Sequence, residues 1–86
     1  FQLPYVVKNL PSNYKINVFP EEVEVIFNVS ISDYNKIYKN DFKIECDYQW
    51  AVKNNLNYLV PEIVSKPSMV TDIKLVPDKI EYLITK

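Results

Sequence analysis

Polar and apolar residues alternate along most of this chain, which is the period of half-buried β-strands. From Val23 onward, Val23, Val25, Phe27, Val29 and Ile31 fall on one side, while Glu24, Ile26, Asn28 and Ser30 fall on the other. The stretch DFKIECDYQW repeats the arrangement, with Phe42, Ile44, Cys46 and Tyr48 opposite Lys43, Glu45, Asp47 and Gln49. Tyr14, Ile16 and Val18 predict a strand that ends at Pro20. Tyr58 to Val64 predict another, in which Pro61 marks an edge or a bulge. Ile73 and Leu75 precede Pro77, after which Ile80, Tyr82 and Ile84 alternate toward the C-terminus. Only SDYNKIYK has helical spacing: Tyr34, Ile37 and Tyr38 recur at i, i+3 and i+4 behind a Ser32 or Asp33 cap. The predicted fold is mainly β with one short helix, a small barrel or a sandwich with a helical lid.

The strands are written twice. INVFPEEVEVIF (16–27) and IKLVPDKIEYLI (73–84) share the pattern I-x-[VL]-[FV]-P-[ED]-x-[VI]-E-[VY]-[IL]-[FI] at an offset of 57 residues. PYVV at Pro4 answers PEIV at Pro61 with the same offset. Between these blocks PSNYKI answers PSMVTDI, with one residue added in the second copy and one removed just before it. Residues 4–27 and 61–84 therefore read as one strand, strand, Pro-turn, strand unit used twice, bridged by 28–60. A pseudo-twofold β domain follows, with Pro20 equivalent to Pro77 and Glu24 to Glu81. The repeat also pairs Ile26 with Leu83, the two residues that interrupt the acidic face of the repeated strand. Either a covering element buries them or they stand exposed as docking points.

Composition narrows the chemistry. No glycine is present, so phosphate-cradling loops are excluded. Positive φ must fall to asparagine, and Asn9, Asn13, Asn40, Asn54 and Asn55 lie between the apolar runs, where turns are expected. All ten basic residues are lysines, spread singly along a chain of net charge −1. Without arginine or a basic cluster, no nucleic-acid partner is expected. Histidine is absent, which removes the commonest general base and metal ligand.

Cys46, the single cysteine, sits on the apolar side of its strand and reads as core, with no disulfide available. The acid pairs Glu22/Glu24 and Glu45/Asp47 lie at i, i+2 spacing and read as a solvated face, with Asp47 accepting backbone N–H bonds in a turn. No catalytic residue, metal site, cofactor or small-molecule substrate is expected. Trp50 and Tyr38, each near the end of its element, are the aromatics expected on the surface. With Ile26 and Leu83 they make up the candidate interaction surface. The longest unbroken apolar runs are three residues, so this segment inserts no span into a membrane. The chain starts at Phe1 and reads as a single domain over 1–86, a segment of something longer.

The ordered motifs NLPSNYKINVFPEEVEVIFNVS, YNKIYKNDF, DFKIECDY and VPDKIEYLI span nearly the whole chain. Together they resemble a YbbR-like domain, in the glycine-free, asparagine- and lysine-rich style of Bacteroidetes-type bacteria. Members often carry a glycine where Asn54 and Asn55 stand here. The resemblance implies a pseudo-symmetric, barrel-like fold with swapped hairpins, similar to the C-terminal β domain of a ribosomal 5S-RNA-binding protein family. It implies a non-catalytic, extracytoplasmic module in the cell envelope, tethered through a transmembrane segment outside these residues. Its partners would be neighbouring domains of the same chain or another protein. The alternative it implies is regulation of a membrane diadenylate cyclase or another envelope enzyme.

Overall fold

The computed structural model describes residues 1–85. Among these residues nine strands run in chain order: β1 (Gln2–Pro4), β2 (Val6–Lys8), β3 (Lys15–Phe19), β4 (Glu22–Asn28), β5 (Lys43–Asp47), β6 (Tyr58–Leu59), β7 (Glu62–Ser65), β8 (Thr71–Val76) and β9 (Ile80–Thr85). Two 3-10 turns, Ile31–Lys36 and Lys39–Asp41, precede β5, and an α-helix, α1 (Tyr48–Lys53), follows it. The strands form three open sheets of three, ordered β1-β4-β8, β2-β5-β7 and β3-β9-β6, rather than a closed barrel.

The doubled sequence reappears in the pairing. Glu24 lies opposite Val76, Val25 opposite Leu75 and Ile26 opposite Lys74. At the 57-residue offset, Glu81 lies opposite Phe19, Tyr82 opposite Val18 and Leu83 opposite Asn17. Leu3 faces Val23 across β1 and β4, as Leu59 faces Ile80 across β6 and β9. The hairpins are thus exchanged: β4 of the first unit pairs with β8 of the second, and β9 of the second with β3 of the first. The equivalent strands β2 and β7 flank β5 on its two sides, one parallel and one antiparallel. The Phe19–Pro20 and Val76–Pro77 peptide bonds are both cis. Turns closed by Tyr14 N–H to Pro11 O (3.0 Å) and Val70 N–H to Pro67 O (3.3 Å) precede β3 and β8.

The extra residue of the second unit becomes a bulge. Between the pairs Ile26–Lys74 and Asn28–Thr71, β4 contributes only Phe27, whereas β8 contributes Asp72 and Ile73. Asp72 takes the left-handed conformation, φ 54°, and accepts a hydrogen bond from Asn28 Nδ2 at 3.0 Å. Asparagine carries the other positive angles, at Asn9 (62°) and Asn55 (59°). Short polar side chains tolerate this region best after glycine, which the chain lacks.

Alternation builds the core. Val23, Val25, Ile44, Cys46, Leu59 and Ile80 point inward and are buried, joined by Leu3, Ile37, Phe42, Ala51 and Val70. Phe1, Phe27 and Phe42 cluster at one place, with centroids 5.3–5.9 Å apart. Tyr14, Tyr48 and Tyr82 stack edge to face at another. No buried side-chain nitrogen or oxygen among the described residues lacks a hydrogen-bond partner.

Four sequence expectations are corrected. The helix expected at SDYNKIYK is a 3-10 turn, and Ile37 is buried in extended backbone just after it. Ile31, expected to continue the inward face, is 94% exposed because β4 ends at Asn28. The strand through Tyr48 stops at Asp47, where α1 begins. The strand expected at Tyr58–Val64 is two strands, divided at Val60 and a buried Pro61.

Candidate interaction surfaces

The outer face of each repeated sheet carries an apolar pair. On β4 and β8, Ile26 is diagonal to Val76 across the Glu24–Val76 and Ile26–Lys74 pairs. On β9 and β3, Leu83 is diagonal to Phe19 across the equivalent pairs. Diagonal neighbours on a sheet face stand close enough for large side chains to form one patch. All four are exposed, Ile26 by 45%, Leu83 by 62%, Phe19 by 63% and Val76 by 39%. The alternative in which Ile26 and Leu83 are buried on both faces is thereby excluded. A glutamate of the repeat, Glu24 or Glu81, borders each pair. Phe19 and Val76 were legible too, since inward Ile16 and Val18, like Ile73 and Leu75, leave the residue before the proline facing outward.

A second surface forms around α1. Asp47 caps the helix, its Oδ1 accepting from Trp50 N–H at 3.3 Å and from Asn9 Nδ2 at 2.9 Å. Those bonds, the Asn9 side chain's foremost, hold the Asp47 carboxyl below its ordinary range. Ala51 faces the core, so Trp50 and Val52 are turned to solvent. Asn54 closes the helix through Nδ2 to Trp50 O at 2.7 Å. With Pro11, Tyr14 and Tyr48, the exposed helix face lines an open groove of about 600 Å³, to which Asp47 and Lys53 bring opposite charges. Tyr38 is exposed between the two 3-10 turns, its N–H donating to Asp41 Oδ2 at 3.2 Å. The four residues singled out in the sequence are thus not brought together: Ile26 is on β4, Leu83 on β9, Trp50 on α1 and Tyr38 between the 3-10 turns, and Trp50 lines the groove.

The remaining chemistry-bearing residues have structural positions. Cys46 is fully buried, and its thiol is pushed up to about 11 by burial and then by the charge of Glu62. Tyr5 is pushed up to about 12, chiefly by burial, with Cys46 and Glu21 adding to it, and its hydroxyl donates to Pro20 O. Glu45 lies 3.5 Å from Lys8 Nζ and 3.8 Å from Lys43 Nζ. Among the described residues no cluster of three or more His, Cys, Asp or Glu could hold a metal ion. None of the described helices is long and apolar enough to cross a membrane. No family profile, curated protein or solved structure matches the chain.

Proposed function

We propose that this chain is a non-catalytic structural and protein-interaction module of a YbbR-like, membrane-anchored protein of the bacterial envelope. The observation that carries the interaction role is the pair of exposed apolar patches, Ile26/Val76 and Leu83/Phe19, on equivalent sheet faces. An isolated domain gains nothing by exposing the same two positions in both halves, whereas neighbours on either side would each cover one patch. The body is elongated, 49 × 20 × 18 Å, and its radius of gyration of 14.4 Å exceeds the roughly 12 Å of a compact chain of this length. That shape suits a module that spaces its neighbours. Burying a large aliphatic side chain at such a contact contributes about 1.5–3 kcal/mol.

The test is Ile26→Lys and Leu83→Lys. Both positions are solvent-facing, so each variant should keep the melting temperature of the isolated domain. Each should lose association with adjacent domains of the full-length protein, read by crosslinking. Severe destabilisation of the lone domain by both substitutions would remove docking at these positions.

The Trp50 groove favours the second reading, a regulatory contact with an envelope enzyme such as a diadenylate cyclase. Under that reading Trp50→Ala abolishes enzyme binding in a pull-down with the full-length partner while Ile26→Lys leaves it intact. Unchanged capture by Trp50→Ala would remove the groove from the contact.

A further inference from the structure

Strand edges offer hydrogen bonds to any chain that can reach them, and proteins guard them with short length, proline, bulges or charge. Most edges here are guarded. β1 has three residues and ends in Pro4, β2 has three, β6 has two and β7 has four. β8 has six, but Asp72 bulges it and Lys74 stands in its outer row. β3 is the longest unbulged edge among the described residues, and its one charge, Lys15, stands at its first position. Lys15–Phe19 lies at the open end of the β3-β9-β6 sheet, in unbroken register with β9 through all five residues. The repeat sharpens the contrast, because the position that is Lys74 on β8 is Asn17 on β3.

We infer that β3 is a self-pairing edge whose partner is β3 of a second copy of this chain, joined antiparallel about a twofold axis at Asn17. The arrangement is self-complementary. Asn17 meets Asn17 of the second copy, and the two amides can donate to and accept from each other. Lys15, which would repel its counterpart in a parallel pairing, lies opposite Phe19 of the second copy, where an ammonium over an aromatic face is favourable. Glu81, already opposite Phe19 on β9, puts a negative charge in the same row as that lysine. On the inner face Ile16 meets Val18 of the second copy, so the half-buried apolar row continues across the junction. The product is one six-stranded sheet, β6-β9-β3 continued by β3-β9-β6. The same operation on β8 would set Lys74 against Lys74, the like-charge opposition that destabilises a strand pair. This inference concerns the edge of β3 and does not rest on the envelope reading; it shares Phe19 with one sheet-face patch but needs neither patch to be a docking site.

Sedimentation of the purified chain over a concentration series, with three substitutions, tests it. The native chain should show a monomer–dimer equilibrium. Asn17→Lys, which copies the residue β8 carries at the equivalent position, should weaken dimerisation by about tenfold or more with unchanged circular dichroism and melting temperature. Lys74→Asn and Ile26→Lys should dimerise as the native chain does. Asn17→Cys should form an intermolecular disulfide on mild oxidation, since directly opposed antiparallel residues lie within disulfide reach and Cys46 is buried. A chain that stays monomeric up to about 1 mM, an Asn17→Lys variant that dimerises undiminished, or a dimer abolished by Ile26→Lys would overturn the inference. Retained dimerisation together with lost domain association in Ile26→Lys would separate this edge from the sheet-face reading.

Discussion

Cys46 and Asp47 are neighbours in the chain with opposite electrostatic situations. Cys46 lies in the inward row of β5, between strands of both repeat units, and its thiol is raised from 9.0 to about 11. Because the folded state holds the proton more tightly than the unfolded one, its contribution is fully present below pH 9. It is lost as pH rises toward 11. Denaturant titrations across that range should show falling stability, with a weaker slope in Cys46→Ala. Native Cys46 should label slowly with a thiol reagent, and Cys46→Ser should cost about 1–3 kcal/mol by burying a hydroxyl. Asp47 has the reverse sign. Its carboxyl is held low by Asn9 and the helix N–H groups, so it stabilises above the ordinary carboxylate range. That contribution is lost as pH falls through the lowered value. Acid unfolding monitored by Trp50 fluorescence should therefore begin at higher pH once Asn9→Gly, which keeps the left-handed backbone, has removed the main cause of the shift.

At the scale of elements, the bulge on β8 makes a conformational demand that can be tested. Asp72 occupies a left-handed angle that a β-branched residue enters only at a cost of about 1–2 kcal/mol. Asp72→Val should lower stability by that amount or more. Asp72→Gly should be close to neutral, losing the Asn28 bond but gaining conformational ease, as thermal melts would show. The sequence announced the extra residue through PSMVTDI against PSNYKI, though not the bulge that absorbs it, because an insertion may equally lengthen a turn. Strands were legible wherever one face was buried, since a period of two then fixes register. The 3-10 turn at Ile31–Lys36 was not, because so short a segment has little intrinsic helicity and packing decides its form. Here packing buries Ile37 from extended backbone. Helix α1 was hidden by the run Phe42, Ile44, Cys46, Tyr48, whose alternation carries past the true end of β5. Its start and stop signals were nonetheless present, a capping Asp47 and the pair Asn54 and Asn55. Of the surface residues, Ile26 and Leu83 were found because the repeat made them equivalent, whereas the groove joins Pro11 and Tyr14 to α1 across sequence distance no local pattern spans.

For the whole molecule, exchanged hairpins determine how stability is shared. Neither repeat unit owns a complete sheet: β1 and β4 need β8 from the other unit, and β9 and β6 need β3. The middle sheet joins them again through β5, flanked by β2 and β7. A loss in one outer sheet is then expected to reach the other, because the β4–β8 and β3–β9 pairs each join the two halves. The surface is also large for the mass, 6130 Å² against roughly 5,300 Å² for a compact protein of this size, so little burial can be spared. Leu3 and Leu59 probe the coupling well, since each fills the same register position, opposite Val23 in one sheet and Ile80 in the other. Leu3→Ala and Leu59→Ala should each cost about 2–5 kcal/mol. The informative readout is the location of the damage, measured by amide hydrogen exchange in β4 and β9. If the halves form one cooperative unit, Leu3→Ala should speed global exchange in β9 as much as in β4, and Leu59→Ala should do the reverse with equal reach. Exchange accelerated only in the sheet that carries the substitution would mean that two outer sheets unfold independently, and the swapped pairing would then be a matter of topology without energetic coupling.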